Sequence, residues 1–171
     1  MMNTDIWWVS IDPAGTSGYA IWQGDQLQAT GIVKKKGTHG KHYLTLNLGT
    51  YASRYDAWNR LLNDSQATLI VIEEGCGSFT TAVKSQAELR GYIHAIADAV
   101  LPHYSRFEVV NVSEWRRVIK EAYGVSFPAN SDRCKALSVQ LVKQHFGHDV
   151  SNDESDAVLL GVAALRMGLV K

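Results

Sequence analysis

Two apolar segments of this 171-residue chain each end in a carboxylate. The run Ile6–Ile11 leads directly into Asp12, and the run Leu69–Ile72 leads directly into Glu73. Short runs of this kind, rich in β-branched and aromatic residues, are typical of buried strands. A carboxylate at the end of a buried strand is costly to desolvate unless a cation or a hydrogen-bond donor meets it. The chain must therefore fold so that both groups find such a partner.

A third acidic position precedes the last apolar stretch. Asp153 and Asp156 lie in the segment Asn152–Ala157, which opens a predicted helix. Residues three apart on a helix share a face, so both can point toward a sheet, whereas Glu154 points elsewhere. Asp153 suits a helix-capping role equally well, because acidic residues favour the first turn of a helix. Carboxylates in these three places fit a site that holds hard divalent cations and acts on phosphate.

The order of the predicted elements indicates one α/β domain over residues 1–171. The elements are strands at about 6–12, 17–22 and 27–34, a helix at 44–62, a strand at 68–73, a helix at 82–100, a strand at 107–112, and helices from 113, from 131 to 146 and from 151 to 168. Ser113 and Ser131 are the predicted N-caps of the first two of these last three helices, and the final helix is predicted to start near Ser151. A loop is predicted around Gly37 and Gly40. This order predicts a mixed sheet with helices on its faces.

Composition narrows the class of protein. No stretch is apolar enough to span a membrane, and the N-terminal residues lack a signal-peptide pattern. Cys76 and Cys134 lack metal-ligand spacing and do not indicate a disulfide scaffold, so a reducing cytoplasm is expected. The formal net charge of zero counts mildly against a nucleic-acid partner. Basic residues are nevertheless concentrated at Lys34–Lys36 and between Arg116 and Lys143.

Four motifs, in order along almost the whole chain, resemble one family. The segment Asp12–Ala20 resembles the first-strand motif of the RuvC-like Holliday junction resolvases, which belong to the ribonuclease H-like superfamily. Ile72–Glu74 resembles the family's Ile-Glu-Gln, and Ala82–Gly91 is similar to the start of its long dimerisation helix. Asp153–Ala157 resembles its terminal Asp-x-x-Asp-Ala. Each motif alone is weak, whereas the ordered set is fairly specific.

The resemblance implies a fold, a reaction and a partner. The implied fold is a ribonuclease H-like mixed five-stranded sheet with helices on both faces. The implied enzyme is a homodimeric crossover junction endodeoxyribonuclease that resolves Holliday junctions or other branched DNA by paired symmetric nicks, in recombination and repair, in the cytoplasm of a bacterial or phage-infected cell. The implied cofactor is Mg²⁺, with Mn²⁺ as a substitute, two ions per site. The implied catalytic and metal-binding residues are Asp12, which bridges the two ions, Glu73, Asp153 and Asp156.

The resemblance also assigns DNA contacts. Arg116 or Arg117 and Lys135 correspond by motif order to the family's phosphate-binding residues. The family places an aromatic residue three positions after its second acidic residue, where this chain has Cys76. Phe79 is the nearest aromatic residue and can substitute, because base stacking requires only a π-face. This departure favours a branched-DNA nuclease of relaxed selectivity.

Alternatives remain at the first two sites and for the function. A strand followed by Asp-x-x-Gly also occurs in sugar kinases and actin-like ATPases, and Asp12 before Pro13 can simply cap a turn. Side chains alternate along a strand, so only one of Glu73 and Glu74 can join Asp12, and the family pattern selects Glu73. The alternative functions are a ribonuclease H-type nuclease on RNA–DNA hybrids and a catalytically weak protein that binds DNA structures.

Overall fold

The computed structural model describes residues 6–34, 38–42, 54–74, 81–103 and 105–171. Its strands are β1 (Trp7–Asp12), β2 (Thr16–Gln23), β3 (Gln26–Lys34), β4 (Thr38–His42), β5 (Leu69–Glu74) and β6 (Arg106–Asn111). Its helices are α1 (Arg54–Ser65), α2 (Thr81–Val100), α3 (Val112–Tyr123), α4 (Ser131–Phe146) and α5 (Asn152–Arg166). The predicted start of the first helix near Leu44, Cys76 and Phe79 lie outside the described residues.

The strands form one mixed sheet in the order β4-β3-β2-β1-β5-β6. The first three strands pair antiparallel as a meander, whereas β5 lies parallel to β1 and β6 lies parallel to β5. The α/β sheet of five strands predicted from the sequence is therefore confirmed, and β4 adds a sixth strand at the edge beside β3.

The strand β4 corrects one prediction. A loop was expected around Gly37 and Gly40, but residues 38–42 pair antiparallel with β3, from Val33 opposite Thr38 to Ala29 opposite His42. The sequence of this segment, Thr-His-Gly-Lys-His, has no alternation of apolar and polar residues. An edge strand needs only backbone hydrogen bonds on one side, so its sequence carries little signal.

Each face of the sheet has its own hydrophobic core. On β1, Trp8 lies in the core shared with α3, α4 and α5, whereas Val9 lies in the core shared with α1 and α2. On β5, Val71 faces the first core and Ile70 faces the second. Because side chains alternate along a strand, the even residues of β1 and the odd residues of β5 face α5.

The helix α5 lies directly on β1 and β2. The Ser10 hydroxyl donates to the carbonyl oxygen of Ala157 at 2.7 Å, and Trp22 Nε1 donates to Ser10 Oγ at 2.9 Å. Every residue from Ala157 to Ala164 is buried. A helix that is apolar on all sides belongs to the interior. The position of its N-terminal turn is therefore fixed by the core.

Asparagine caps two of the helices for which serine was predicted. The side chain of Asn111 caps α3 and that of Asn130 caps α4, so the predictions of Ser113 and Ser131 are wrong. Both residue types accept a hydrogen bond at this position, and here the chain enters the helical conformation one or two residues earlier. Ser151 caps α5, and that helix starts next to Ser151, as predicted. None of the described helices is both long enough and apolar enough to cross a lipid bilayer.

Candidate metal centre

The strands β1 and β5 place Asp12 and Glu73 side by side. Ile11 pairs with Ile72 in the parallel register of these strands, and the carboxylates are the next residue on each strand. Both side chains point toward α5, because Asp12 continues the even face of β1 and Glu73 the odd face of β5. Asp12 is 9% exposed and Glu73 is 8% exposed, so neither is fully hydrated.

The first turn of α5 brings Asp153 and Asp156 to the same end of the sheet. Gly18 of β2 lies opposite Asp12, and a Cβ atom at Gly18 would overlap the carbonyl oxygen of Asp153. This close approach requires glycine and seats the helix against the strand that neighbours Asp12. Three elements far apart in the sequence therefore bring Asp12, Glu73, Asp153 and Asp156 close enough for the charges of the other three to act on Asp12.

The carboxylates act on one another electrostatically. Burial raises the pKa of Asp12 well above its ordinary value, and the negative charges of Glu73, Asp156 and Asp153 raise it further. Lys135 opposes this rise in pKa. A cluster of like charges in a poorly hydrated place favours the protonated form. A cation bound among these groups would reverse that preference.

Glu73 has a donor as well as like-charged neighbours. The pKa of Glu73 is raised to about 7, chiefly by burial and also by the charge of Asp156, whereas the hydrogen bond from the indole of Trp115 lowers it. Trp115 Nε1 donates to Glu73 Oε2 at 2.7 Å, from α3 to β5. The guanidinium of Arg116 also lowers the pKa of Glu73. This carboxylate is thus partly compensated by the protein itself.

Asp156 retains an uncompensated atom. Burial raises its pKa, and the nearby Ser138 hydroxyl, Arg116 and Lys135 lower it. Ser138 is close enough to favour the ionised carboxylate but makes no well-formed hydrogen bond. Asp156 Oδ1 and Ser138 Oγ are both buried without a hydrogen-bond partner among the residues that the structure describes. A buried oxygen of this kind is costly unless another group meets it.

Asp153 lies nearer to solvent than Asp156 does. Burial raises the pKa of Asp153, Lys135 lowers it, Glu154 raises it and Lys34 lowers it. The N-cap of α5 is Ser151, and Asp153 lies in the first turn of the helix, where an acidic side chain also interacts favourably with the helix dipole. Within the described part of the chain, no group of three or more His, Cys, Asp or Glu side chains is arranged closely enough to hold a metal ion. The four carboxylates are neighbours but do not form a closed set of ligands.

Glu74 and Glu154 directly follow Glu73 and Asp153 in the sequence but have other roles. Glu74 is exposed on the opposite face of β5, where its Oε1 lies 3.9 Å from the guanidinium of Arg90. Glu154 is buried and accepts hydrogen bonds from the Thr30 hydroxyl at 2.7 Å and from the backbone N–H of Ser151 at 2.9 Å. Glu154 therefore ties the first turn of α5 to β3. The motif Ser-x-x-Glu at residues 151–154 is a capping box and could have indicated this role in advance.

The basic residues assigned to DNA divide into two groups. The guanidinium of Arg116 stacks over the rings of Trp115 and Phe127, with centroids at 5.2 and 5.5 Å, and acts on Glu73 and Asp156. Lys135 is exposed on α4 and acts on three of the four carboxylates. Arg117 points to solvent and pairs with Glu121 at 3.0 Å within α3. Phe79 lies outside the described residues.

Comparison with known proteins gives fold relatives only. No family model matches the chain, and no curated protein does. Among solved structures, Thermus thermophilus RuvC in complex with a Holliday junction substrate matches with a TM-score of 0.58 at 13% identity, over 97% of this chain and 99% of that chain. A further structure of Thermus thermophilus RuvC matches with a TM-score of 0.56 at 15% identity, with the same coverage of both chains.

A viral relative extends the likeness. The fowlpox virus Holliday junction resolvase matches with a TM-score of 0.50 at 11% identity, over 95% of this chain and 99% of that chain. The chain has the ribonuclease H-like fold of the RuvC-type resolvases. This confirms the resemblance seen in the sequence motifs and the predicted fold class. At these identities the likeness concerns the fold alone.

Two residues next to the carboxylate cluster received no role from the sequence. Trp115 belongs to α3, and Ser138 belongs to α4. Both lie near the carboxylates because of how the helices pack on the sheet, and no local sequence pattern predicts that packing. For Trp115 one signal existed, because a buried indole N–H usually requires an acceptor and a carboxylate at a strand end can be one.

Proposed function

We propose that this protein is a metal-dependent, structure-selective DNA endonuclease that cuts Holliday junctions or other branched DNA by paired nicks. One observation carries the proposal: Asp12, Glu73, Asp153 and Asp156 converge at one end of a RuvC-like sheet, where burial raises the pKa of each and the charges of the other three raise that of Asp12 further. A protein that needed these residues only for solubility would leave them hydrated.

In their donor chemistry, the residues present fit Mg²⁺, or Mn²⁺ in its place. Only carboxylate oxygens are offered, which are the ligands that hard divalent cations prefer. The buried Oδ1 of Asp156 lacks a partner among the described residues, and a cation would satisfy it. Asp12, Glu73, Asp153 and Asp156 would hold two such ions. When bound, two divalent cations supply an activated water and stabilise the leaving oxygen of a phosphodiester.

The rest of the centre would bind and orient the DNA backbone. Lys135 is exposed beside the carboxylates, where its ammonium can attract a phosphate. Arg116 is held against two aromatic rings, so its guanidinium is pre-oriented for a phosphate. A four-way junction presents two equivalent strands, and a homodimer with two-fold symmetry would nick both.

The test is a panel of end-labelled substrates in Mg²⁺: a four-way junction, a three-way fork, linear duplex and an RNA–DNA hybrid. We expect paired nicks in the junction or fork and little cleavage of linear duplex. Asp12→Asn, Glu73→Gln and Asp156→Asn should each abolish cleavage while DNA binding persists. Glu74→Gln is the matched control, because it neutralises the neighbouring carboxylate on the other face of β5.

Other results of the same panel identify the alternative functions. Preferential cleavage of the hybrid would indicate a ribonuclease H-type nuclease. Junction binding with no metal-dependent nicking would indicate a DNA-structure-binding protein. If any one of the three carboxylate variants cleaved at nearly the wild-type rate, that residue would not be a metal ligand. Sedimentation analysis of the free protein and of its junction complex would test the homodimer.

A further inference from the structure

The hydrogen bond between Trp115 and Glu73 joins a helix to the centre of the carboxylate cluster. Trp115 Nε1 donates to Glu73 Oε2 at 2.7 Å, and the two residues are 42 positions apart in the chain. Oε2 is therefore already engaged. Oε1 of the same carboxylate has no hydrogen-bond partner among the described residues. The two oxygens of Glu73 are thus inequivalent before any ion is bound.

The donor side of this hydrogen bond is rigid. Trp115 is completely buried, and the ring of Phe127 meets its ring edge-on with centroids 5.8 Å apart. The guanidinium of Arg116 covers the ring from a distance of 5.2 Å. The start of α3 is fixed by the Asn111 cap. An indole enclosed in this way cannot change rotamer without disturbing the core, so the direction of its N–H is set by packing.

The chemistry of the donor suits a metal ligand. An indole N–H only donates and carries no charge. It can fix the orientation of a carboxylate without neutralising it, whereas lysine or arginine in the same place would oppose cation binding. Groups that hydrogen-bond to a ligating side chain orient it and strengthen its affinity for the metal.

We propose that Trp115 is a positioning residue for Glu73: its N–H holds Oε2, so that Oε1 is presented toward Asp12 and Asp156 as a metal ligand. This inference rests on the proposed metal-dependent function and adds a residue to it. It does not make Trp115 a catalytic residue, because the indole contacts neither substrate nor ion.

The test compares three tryptophan-to-phenylalanine variants. Trp115→Phe removes the donor and keeps an aromatic ring. Trp8→Phe is matched for the loss of a buried indole hydrogen bond, since Trp8 Nε1 donates to the Gly24 carbonyl at 2.8 Å, at the other end of β1. Trp58→Phe is matched for ring size alone, since its buried Nε1 has no hydrogen-bond partner among the described residues.

Two readouts separate positioning from general destabilisation. The first is the affinity for Mn²⁺ in the absence of DNA, measured by electron paramagnetic resonance, and the second is the Mg²⁺ concentration that gives half-maximal junction cleavage. We expect Trp115→Phe to weaken metal binding and raise the half-maximal Mg²⁺ concentration by about tenfold. The cleavage rate at saturating Mg²⁺ should recover most of its wild-type value. Trp8→Phe and Trp58→Phe should leave both metal readouts near those of the wild type.

The outcomes distinguish this inference from the function on which it rests. A wild-type protein that neither binds Mn²⁺ nor nicks DNA contradicts the proposed function, and the positioning role with it. A wild-type protein that does both, with Trp115→Phe indistinguishable from Trp8→Phe, overturns the positioning role alone.

If Trp115→Phe does not fold, the proposal can still be tested by NMR on the protein that retains Trp115. The assigned indole ¹⁵N–¹H resonance of Trp115 should move when Mg²⁺ is added, because the acceptor becomes a ligand. Glu73→Gln should abolish that movement. The Trp8 resonance should stay in place in both proteins. If the protein binds Mg²⁺ but the chemical shift of the Trp115 indole does not change, the proposal is overturned.

Discussion

Gly18 lies in direct contact with the backbone carbonyl of Asp153, with no room for a Cβ atom between them. The contact joins β2 to the first turn of α5, and it lies beside Asp12, which pairs with Gly18 in the sheet. The geometry of the acidic cluster therefore depends on a residue that contributes no functional group. Moving the helix by the size of a methyl group would move Asp153 and Asp156 away from the strand carboxylates.

The first prediction concerns this contact. Gly18→Ala should destabilise the protein by about 1–3 kcal/mol, because overpacking a tight contact displaces backbone. Cleavage of a junction should fall further than the loss of stability explains, since α5 carries two of the carboxylates. Chemical denaturation and cleavage rates measure the two effects. Gly15→Ala, in the adjacent turn where an added Cβ meets nothing within 4 Å, should change neither.

The second prediction concerns pH without divalent cations. The folded state raises the pKa of Glu73 from 4.5 to about 7, so it binds this proton more tightly than the unfolded state does. The resulting stabilisation is complete below pH 4.5 and is lost as the pH rises through about 7. The free energy of unfolding in chelator should therefore fall across this range, and Glu73→Gln should flatten the slope.

The third prediction concerns the metal. Millimolar Mg²⁺ should raise the melting temperature at neutral pH by mass action, because the ion binds the folded cluster and not the unfolded chain. Asp156→Asn should raise the melting temperature in chelator, since it removes one of the repelling charges, and should blunt the response to Mg²⁺. Differential scanning calorimetry checks both. A wild-type melting curve indifferent to Mg²⁺ would count heavily against the cluster as a metal site.

The fourth prediction concerns the DNA backbone. Lys135→Ala should weaken binding to junction, fork and duplex alike and reduce the slope of log K against log salt by about one unit. Lys143→Ala is the control, because Lys143 is two turns further along α4 and pairs with Asp149 at 2.8 Å. Arg116→Ala should impair cleavage, whereas Arg117→Ala should not, since Arg117 pairs with Glu121 at the surface. Fluorescence anisotropy at several salt concentrations measures the DNA affinity and its dependence on salt.

The fifth prediction concerns junction selectivity. If Phe79 replaces the aromatic residue missing at Cys76, Phe79→Ala should reduce junction cleavage by about tenfold, because stacking on a base contributes roughly 1–3 kcal/mol. Binding to linear duplex should change little. Parallel kinetics on junction and duplex make the comparison. Equal losses on both substrates would mean that Phe79 does not read the branch point.

Much of the fold was predictable from the sequence because the strands carry strong local signals. The run that ends at Asp12 and the run that ends at Glu73 are continuous and apolar, which is the pattern of central strands. β4 was missed because an edge strand can be polar. The N-caps of α3 and α4 were misplaced by one or two residues because asparagine and serine serve equally well there.

The candidate site was predictable only as a set of carboxylates. Side-chain alternation indicated that only one of Glu73 and Glu74 could join Asp12, and the family pattern selected Glu73. The structure places Glu74 on the other face, beside Arg90. The contact between Trp115 and Glu73 was not predictable, because it depends on how α3 docks against the sheet. The same limit applies to Arg116 and Arg117, which are adjacent in sequence but differ in whether their guanidinium reaches the carboxylates.

Because α5 is buried against the sheet, the acidic cluster can form only late in folding. Ribosomal synthesis delivers Asp12 and Glu73 long before Asp153 and Asp156, which belong to the last helix of the described fold. That helix also fills the core against β1 and β2, so the sheet face and the acidic cluster are completed in the same late step. Contacts between residues so distant in sequence form slowly. A nascent chain would therefore lack the complete acidic cluster until α5 has packed against the sheet.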